Sequence, residues 1–575
     1  MNYVTPSGFR DVLPEEARVR EEIAGRVQSC FARHGYTPLE TPTLEIMDVL
    51  QAGGRIPGAP FKFFDSQGDL LAMRPDVTMQ IARMCATRLK DQPGPFKFRY
   101  MQRVFRETET EMQAAARELT QFGVESIGEA GAISDAELLC LFIEALKECG
   151  LEDFRLAIGT VGVLRALLEA SGASPVWKAK VLSAYHSSNF VELDTLVEDE
   201  KVPAEFCSAI AALPRIRGGR EAIDKARALA QPLGCEDGLD AFEESYQILV
   251  ERGMAELVLI DFSVMSSFDY YTGIVVCAYA PGIGTALGSG GRYDSMLAAY
   301  GQQRPAAGFA FFLESVMAAR AVQEMGEGAT LGTGPLPKAA DPSLGSMAAR
   351  AVQEMGEGAV LTPKALRIAI PKGALFEETV QRLSQAGFDT TGLEDPGRQL
   401  LFKNPGVEYV IVRPSDAPAF VALGAADCGI CGKDSLVEAA PDVVELVDLG
   451  FGACRFVVAQ PEGTSAAVAD HYRKLGSIRV ATKYPHITSA YYAALGMQVE
   501  IVKLHGNIEL APLTGMAERI VDITATGKTL RENKLEIIDE VLASTARFYA
   551  NVAAFRTDER IIELASKLEA GKEGR

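Results

Sequence analysis

The sequence predicts a multidomain protein. An N-terminal α+β region over 1–320 is built on antiparallel sheet and carries a helical insertion at about 135–260; a C-terminal α/β region covers 364–575. Three observations carry this. After residue 364, short apolar runs alternate with amphipathic stretches, the pattern of strand–helix units and mostly parallel sheet. Before residue 320, strand-like runs are longer and are joined by loops, with one extended helical stretch among them. Between the two lies "EMGEGATLGTGPLPKAADPSLGS", rich in Gly, Pro and Ala and poor in periodic apolar residues. That composition reads as an extended or flexible linker over 321–363. A chain of 575 residues has room for three or four such domains.

Taken in order, "YTPLETPTLE" (36–45), "PFKFRYMQRVFRETET" (95–110) and "TGIVVCAYAP…TALGSGGRYD" (272–294) read as strands. "DAELLCLFIEALKECG" (135–150) spaces its apolar residues for a helix and opens the helical stretch. "MAARAVQEMGEGA" occurs at 317–329 and again, unchanged, at 347–359. One exact copy is too few for a solenoid and points to a local duplication, natural or engineered. The first copy should end a helix of the upstream domain; the second is a spare helix or part of the tether. In the last region seven buried strands are expected: "LRIAIP" (366–371), "EYVIVR" (408–413), "DCGICG" (427–432), "RFVVAQ" (455–460), "IRVATK" (478–483), "VEIVKL" (499–504) and "RIVDIT" (519–524). Helices follow at "FEETVQRLSQAG" (376–387) and "ITSAYYAALG" (487–496). Ligands of such sheets bind at the carboxyl ends of strands.

Composition excludes several classes of function. Hydrophobic residues are 48 %, enough for a core in each domain, and no run of about 18 apolar residues exists, so no membrane span is expected. The first twenty residues lack a basic segment followed by an apolar run, so no signal peptide is expected. Ten cysteines without pairing intervals suit a reduced, cytoplasmic compartment. Cys428 and Cys431 have CxxC spacing but lie inside an apolar strand pattern; core packing is the first reading, redox or metal work the second. Five histidines show no metal-ligand spacing. A net charge of −20 argues against a nucleic-acid partner but not against a small anionic substrate, because a pocket can be basic within an acidic protein.

"DITATGKTL" (522–530) resembles the tail of a P-loop, except that Asp522 stands where the first glycine belongs. Small residues at Thr524, Ala525, Thr526 and Gly527 let backbone N–H groups converge, and the hydroxyls of Thr526 and Thr529 add donors. A helix expected from "LRENKL" would add partial positive charge. Such a nest can hold a phosphate monoester without a Walker lysine. On these residues alone, a phosphate nest and an ordinary strand–turn–helix connection stand level.

The wider string "ELAPLTGMAERIVDITATGKTL" (509–530) resembles the signature of the ATP phosphoribosyltransferase catalytic subunit, through Glu509, Gly515, Asp522, Thr526, Gly527, Thr529 and Leu530. "LRIAIPKGALFEET" resembles that family's first strand and its "PKG" turn. "VRPSDAPAFVALGAADCGICGKDSLVE" and "VATKYPHIT" resemble its second and third blocks, so the resemblance covers about 365–575. It implies a two-lobed fold similar to periplasmic solute-binding proteins. Long-form enzymes carry a further regulatory domain after this point, so the short form is expected, working with a regulatory subunit similar to histidyl-tRNA synthetase. Residues 1–320 meet that expectation. "TPSGFRDVLPEEA" (5–17), "MRPDVTMQIAR" (73–83), "VFRETET" (104–110), "QFGVE" (121–125), "FDYYTG" (268–273) and "LGSGGRYD" (287–294) resemble class II histidyl-tRNA synthetases and their regulatory paralogues. Departures remove aminoacylation from the expectation. Ser266 and Ser315 stand where synthetases place ATP-binding arginines, and the basic loop after motif two reads "ETETEMQAAARE".

The resemblance implies specific roles. Asp76, Arg106, Gln121, Glu125, Tyr270 and Tyr271 would surround a regulatory histidine, with Asp76 one methylene shorter than the family's usual Glu. Whether histidine inhibits through this pocket or at a contact between the halves stays open. In the second half, ATP would react with 5-phosphoribosyl pyrophosphate (PRPP), with Mg²⁺ bridging pyrophosphate oxygens and held mostly by substrate and water. Asp522, Thr524, Ala525, Thr526, Gly527, Lys528 and Thr529 would hold the 5-phosphate and ribose, and Glu509 would lie near the ribose or metal. Lys372, Gly373, Arg398 and Arg413 would face pyrophosphate or ATP phosphates, with Lys372, Arg398 and Arg413 as the catalytic cations; an ordinary solvated surface is the alternative for the two arginines. A homotetramer of fused chains would carry the eight domains of the family's hetero-octamer. Two other readings stand: a histidine-sensing binding protein without catalysis, and an RNA-binding synthetase paralogue. A receptor has no use for a phosphate nest, and the acidic charge opposes the RNA-binding reading.

Overall fold

The computed structural model describes residues 5–54, 59–107, 116–198, 201–264, 271–325 and 365–571. The chain divides into two compact units, Met1–Lys364 with Val552–Glu559 and Ala365–Asn551 with Arg560–Arg575.

In the first unit the strands are, in chain order, β1 (Thr37–Pro38), β2 (Leu44–Ile46), β3 (Lys62–Phe64), β4 (Leu70–Met73), β5 (Phe96–Phe105), β6 (Glu118–Ile127), β7 (Arg155–Thr160), β8 (Arg217–Gly218), β9 (Val258–Asp261), β10 (Ile274–Tyr279), β11 (Gly288–Arg292) and β12 (Ala306–Phe312). Nine form one sheet in the order β1-β5-β6-β12-β11-β10-β7-β9-β8, antiparallel except at β1–β5 and β7–β9. The helices Pro14–Arg33 and Ala132–Glu148 cover one face. The first begins with Pro14 at its N-terminus and Glu15 and Glu16 in its first turn, and buries Ile23, Val27, Cys30 and Phe31 at helical spacing. Phe142 of the second stacks on Phe309 at 4.3 Å between centroids. The opposite face is covered by Thr78–Thr87 and holds Tyr100, Val104, Val275 and Cys277.

Two expectations change here. The stretch 36–45 is two short strands, β1 and the start of β2, because Pro38 and Pro42 lack the N–H that a continuous ladder needs. The region 135–260 is not one helical insertion: β7 and β9 within it join the main sheet, and among the described residues six α-helices, three short 3₁₀ helices and the two-residue β8 lie between them. Residues 317–325 of the first copy of the duplicated segment lie in the helix Leu313–Met325, and the rest of that copy lies outside the described residues. The second copy, residues 326–363 of the expected linker, Ser266 and Tyr270 lie outside the described residues, whereas 321–325, expected to begin the linker, are helical.

In the second unit all seven expected strands form: β13 (Leu366–Pro371), β15 (Val407–Val412), β16 (Cys428–Gly432), β18 (Cys454–Pro461), β19 (Ile478–Thr482), β20 (Val499–Lys503) and β21 (Arg519–Thr524). Four more accompany them: β14 (Leu401–Asn404), β17 (Val443–Asp448), β22 (Leu535–Ser544) and β23 (Ala546–Asn551). They build two sheets, β14-β15-β13-β16-β23-β17 and β20-β19-β21-β18-β22. The expectation of mostly parallel sheet is corrected. Only β13 with β15 and β16, and β19 with β20 and β21, pair in parallel; β14, β18, β22 and β23 run antiparallel to their neighbours. The chain leaves the first sheet after β17 and returns through Thr545, whose hydroxyl donates to Asp448 Oδ1 at 2.8 Å and ties the two crossings together. Cys428 and Cys431 are fully buried in the first of these sheets, as the core reading has it.

Candidate active site and regulatory pocket

The carboxyl edge of the six-stranded sheet collects positive charge. In the parallel pair β13–β15, Pro371 stands opposite Val412, so Lys372 and Arg413 leave the sheet side by side. The Lys372 N–H donates to the Val412 carbonyl at 2.7 Å, extending the pairing by one step. Gly373 follows with φ +100°, a conformation open to glycine and not to most residues. β14 runs antiparallel to β15, and the Ile411 N–H donates to the Leu400 carbonyl, which brings Arg398 to the same edge. Lys372, Arg398 and Arg413 are exposed, and none makes a side-chain hydrogen bond or ion pair among the described residues. Three uncompensated cations at the carboxyl ends of adjacent strands suit an anionic ligand.

The second sheet supplies the loop. β21 ends at Thr524, whose hydroxyl accepts the Gly527 N–H at 2.8 Å. Gly527 has φ +69° and turns the chain into a short helix, Lys528–Glu532. That helix starts before the expected "LRENKL" and is five residues long, so it contributes little dipole. The N–H groups of Ala525 and Thr526 make no hydrogen bond among the described residues and are open to an anion. Thr529 lies in the first turn, its carbonyl accepting from Asn533 Nδ2 at 2.9 Å. The Lys528 ammonium lies 3.8 Å from Glu532 on the outer side of the helix. Asp522 sits two residues before Thr524; burial raises its carboxyl pKa, and the negative charge of Glu509 raises it further. Two carboxylates near one another beside an anion loop form a place where a dication lowers the electrostatic cost.

The two sheets approach around Tyr484. Its ring packs edge-on against Phe456 at 4.7 Å and lies within electrostatic reach of Asp434 from one lobe and Asp522 from the other. Glu438 accepts from the N–H groups of His486 and Ile487 at 3.1 and 3.0 Å, bridging the lobes at the start of the helix Pro485–Ala494.

The first unit holds a second, polar pocket on the sheet face opposite Phe142. Alternation along β6 places Gln121, Gly123 and Glu125 on that face. Glu125 is buried; it accepts from Thr78 Oγ1 at 2.6 Å, from Tyr100 OH at 3.5 Å and from Tyr293 OH. Loss of hydration pushes its carboxyl up to about 8, although the three hydroxyls oppose the shift. Asp76 accepts from the Thr78 N–H at 2.7 Å and from Gln121 Nε2 at 3.2 Å, while Gln121 Oε1 is buried without a partner. Such an orphan acceptor awaits a donor. Arg106 Nε donates to the Pro75 carbonyl at 3.0 Å, and its guanidinium lies over Phe312. Tyr271 is buried against Gly291, where a Cβ would come within 2.7 Å of its ring. Gly308 stands opposite Glu125, and a Cβ there would overlap the carboxylate at 1.8 Å. Thus Asp76, Arg106, Gln121, Glu125 and Tyr271 share one region, and sequence reasoning missed the hydroxyl partners Thr78, Tyr100 and Tyr293. They come from a helix start, a strand and the residue just after another strand, far apart in the chain; Tyr293, inside "GGRYD", was the one open to notice.

Comparison with known proteins gives two matches that divide the chain as its composition does. The histidyl-tRNA synthetase family model matches residues 8–316, and the ATP phosphoribosyltransferase model matches 413–570. An ATP phosphoribosyltransferase regulatory subunit of Moorella thermoacetica is 38 % identical over 317 residues, 55 % of this chain and 81 % of that one. An ATP phosphoribosyltransferase of Rubrobacter xylanophilus is 49 % identical over 213 residues, 37 % of this chain and 98 % of that one. Among solved structures, an ATP phosphoribosyltransferase regulatory subunit/histidyl-tRNA synthetase from Bacillus halodurans superposes with a TM-score of 0.53 at 27 % identity, covering 72 % of this chain and 99 % of that one. No helix among the described residues is long and apolar enough to cross a membrane. The chain therefore belongs to the ATP phosphoribosyltransferase family in its second half, as that enzyme, and in its first half to the histidyl-tRNA-synthetase-like regulatory subunits that accompany it.

Proposed function

We propose that the second unit joins ATP to PRPP in the first step of histidine biosynthesis. The lone pair of adenine N1 attacks ribose C1, the C1–O bond to pyrophosphate breaks, and pyrophosphate leaves with the electron pair. The attacking atom belongs to ATP, so no side-chain nucleophile is needed. Catalysis is then positioning, together with electrostatic stabilisation of charge moving onto the leaving group. The open N–H groups of Ala525 and Thr526 hold the 5-phosphate, with Gly527 and Thr529 shaping the cup. Asp522 accepts from the ribose hydroxyls. Lys372, Arg398 and Arg413 take pyrophosphate and the ATP phosphates at the edge where Gly373 lets the backbone turn. The observation that carries this reading is the occurrence, on the two sheets of one unit, of a loop with free N–H groups and of three unpaired cations at a carboxyl strand edge.

Glu509 and Asp522 would hold Mg²⁺; burial raises the Asp522 carboxyl, and the charge of Glu509 adds to that rise. When bound with PRPP, Mg²⁺ neutralises pyrophosphate charge.

The first unit, in this reading, binds histidine and adjusts the second, without aminoacylation. Glu125 and Asp76 offer acceptors to the amino acid's N–H groups, and the orphan Gln121 Oε1 gains a donor. Fusion of two partners that are separate subunits in the relatives raises their effective concentration. A cytoplasmic homotetramer of fused chains completes the proposal. Its test is pyrophosphate release in the presence of ATP, PRPP and Mg²⁺, with titrated histidine, and light scattering for the tetramer.

A further inference from the structure

We propose that Lys483 supplies the cation that meets the 5-phosphate of the phosphoribosyl substrate; this rests on the transferase reading above and adds to it a binding residue outside the loop. The position follows from register. β19 and β21 are parallel neighbours with Thr482 opposite Val521, so Lys483 leaves its strand level with Asp522. Ala481 and Ile520 share the sheet face packed with Val457 and Leu530. By the two-residue alternation of strands, Asp522 and Thr524 continue that same face, and Lys483 follows in the bend that closes β19. The ammonium of Lys483 lies 5.8 Å from the centroid of the Tyr484 ring and acts on the Asp522 carboxylate.

The cations of the loop and its neighbours already have contacts within the chain. Lys528 faces Glu532, Arg531 Nη2 donates to the Thr526 carbonyl at 3.0 Å, and Arg455 pairs with Glu540 at 3.1 Å. Lys483 makes no hydrogen bond and no ion pair among the described residues. A phosphate monoester carries roughly −1.5 to −2 charges near neutral pH. Two neutral N–H donors leave most of that charge uncompensated, and an ammonium level with Asp522 answers it. Lys372, Arg398 and Arg413 stand on the other sheet and serve the opposite end of the substrate.

The test compares K483M and K483R with the parent full-length protein. K483M should raise the KM for PRPP and the inhibition constant of ribose 5-phosphate about ten- to a hundredfold, the scale of one charge-assisted hydrogen bond. The KM for ATP and inhibition by pyrophosphate should hold, and K483R should return within about threefold of the parent, because an arginine keeps the charge. Parental ribose 5-phosphate inhibition in K483M, or losses shared equally with ATP or pyrophosphate, would overturn the assignment while leaving the transferase reading intact. A parent protein that takes up neither PRPP nor ribose 5-phosphate would overturn both together.

Discussion

Lys372 and Arg413 stand next to each other at the carboxyl edge of one parallel strand pair, brought level by the Pro371–Val412 register. Both are exposed and neither has an ionic partner among the described residues, so neither serves the fold. Arg413→Ala should therefore leave the melting temperature within a degree or two of the parent. Turnover of ATP and PRPP should drop by about two orders of magnitude, the usual size of losing one preorganised charge from a site where negative charge develops. Parental turnover in the variant would remove Arg413 from the site.

Gly527 enters the left-handed region at φ +69°, and a Cβ there would come within 3.3 Å of Arg531 Nη1. Gly527→Ala should cost about 1–2 kcal/mol in stability and weaken PRPP more than ATP, because the turn sets the direction of the open N–H groups. Steady-state kinetics with each substrate varied in turn separates the two effects. Equal weakening of both substrates would argue against the cup.

Glu125 gives a pH dependence whose sign is fixed. Its folded carboxyl keeps a proton up to about pH 8, whereas an unfolded carboxyl loses it near 4.5. Between those values the folded state holds the extra proton, so stability falls as pH rises, by an amount on the order of a few kcal/mol for this group. Glu125→Gln cannot ionise, so it should flatten the decline between pH 6 and 8 measured by denaturant titration. An unchanged slope would show that the carboxyl is charged in the empty pocket.

Gly308→Ala tests the pocket by volume. The added methyl would overlap Glu125 Oε2, the oxygen that Tyr293 holds, so the carboxyl must shift from its place in the pocket. Overpacking of this kind costs about 1–3 kcal/mol, and calorimetry should show loss of histidine binding. Retained binding would place histidine elsewhere in the molecule.

Much of this architecture was readable from local pattern. β13, β15, β16 and β21 appear as apolar runs closed by Gly or Pro, and buried strands flanked by helices leave that trace. β22 does not, because it lies at the sheet edge, carries Glu536, Asp539 and Glu540, and exposes much of both faces. β23 follows it after a single residue, Thr545, with no turn signal to announce a new strand. The return of these strands antiparallel depends on pairing between distant segments, which local pattern does not encode. The site divides the same way. "TATGK" and "QFGVE" are contiguous and were legible, whereas Thr78, Tyr100 and Tyr293 reach Glu125 from three separate parts of the chain. Lys483 was invisible for the same reason: an exposed lysine after a strand is ordinary until the β19–β21 register sets it beside Asp522.

The most direct measurement is pyrophosphate release by the purified full-length chain, with ATP, PRPP and Mg²⁺ present together and each omitted in turn. Release that requires all three and diminishes as histidine is added is the predicted result. A folded protein that releases no pyrophosphate under these conditions would contradict the account.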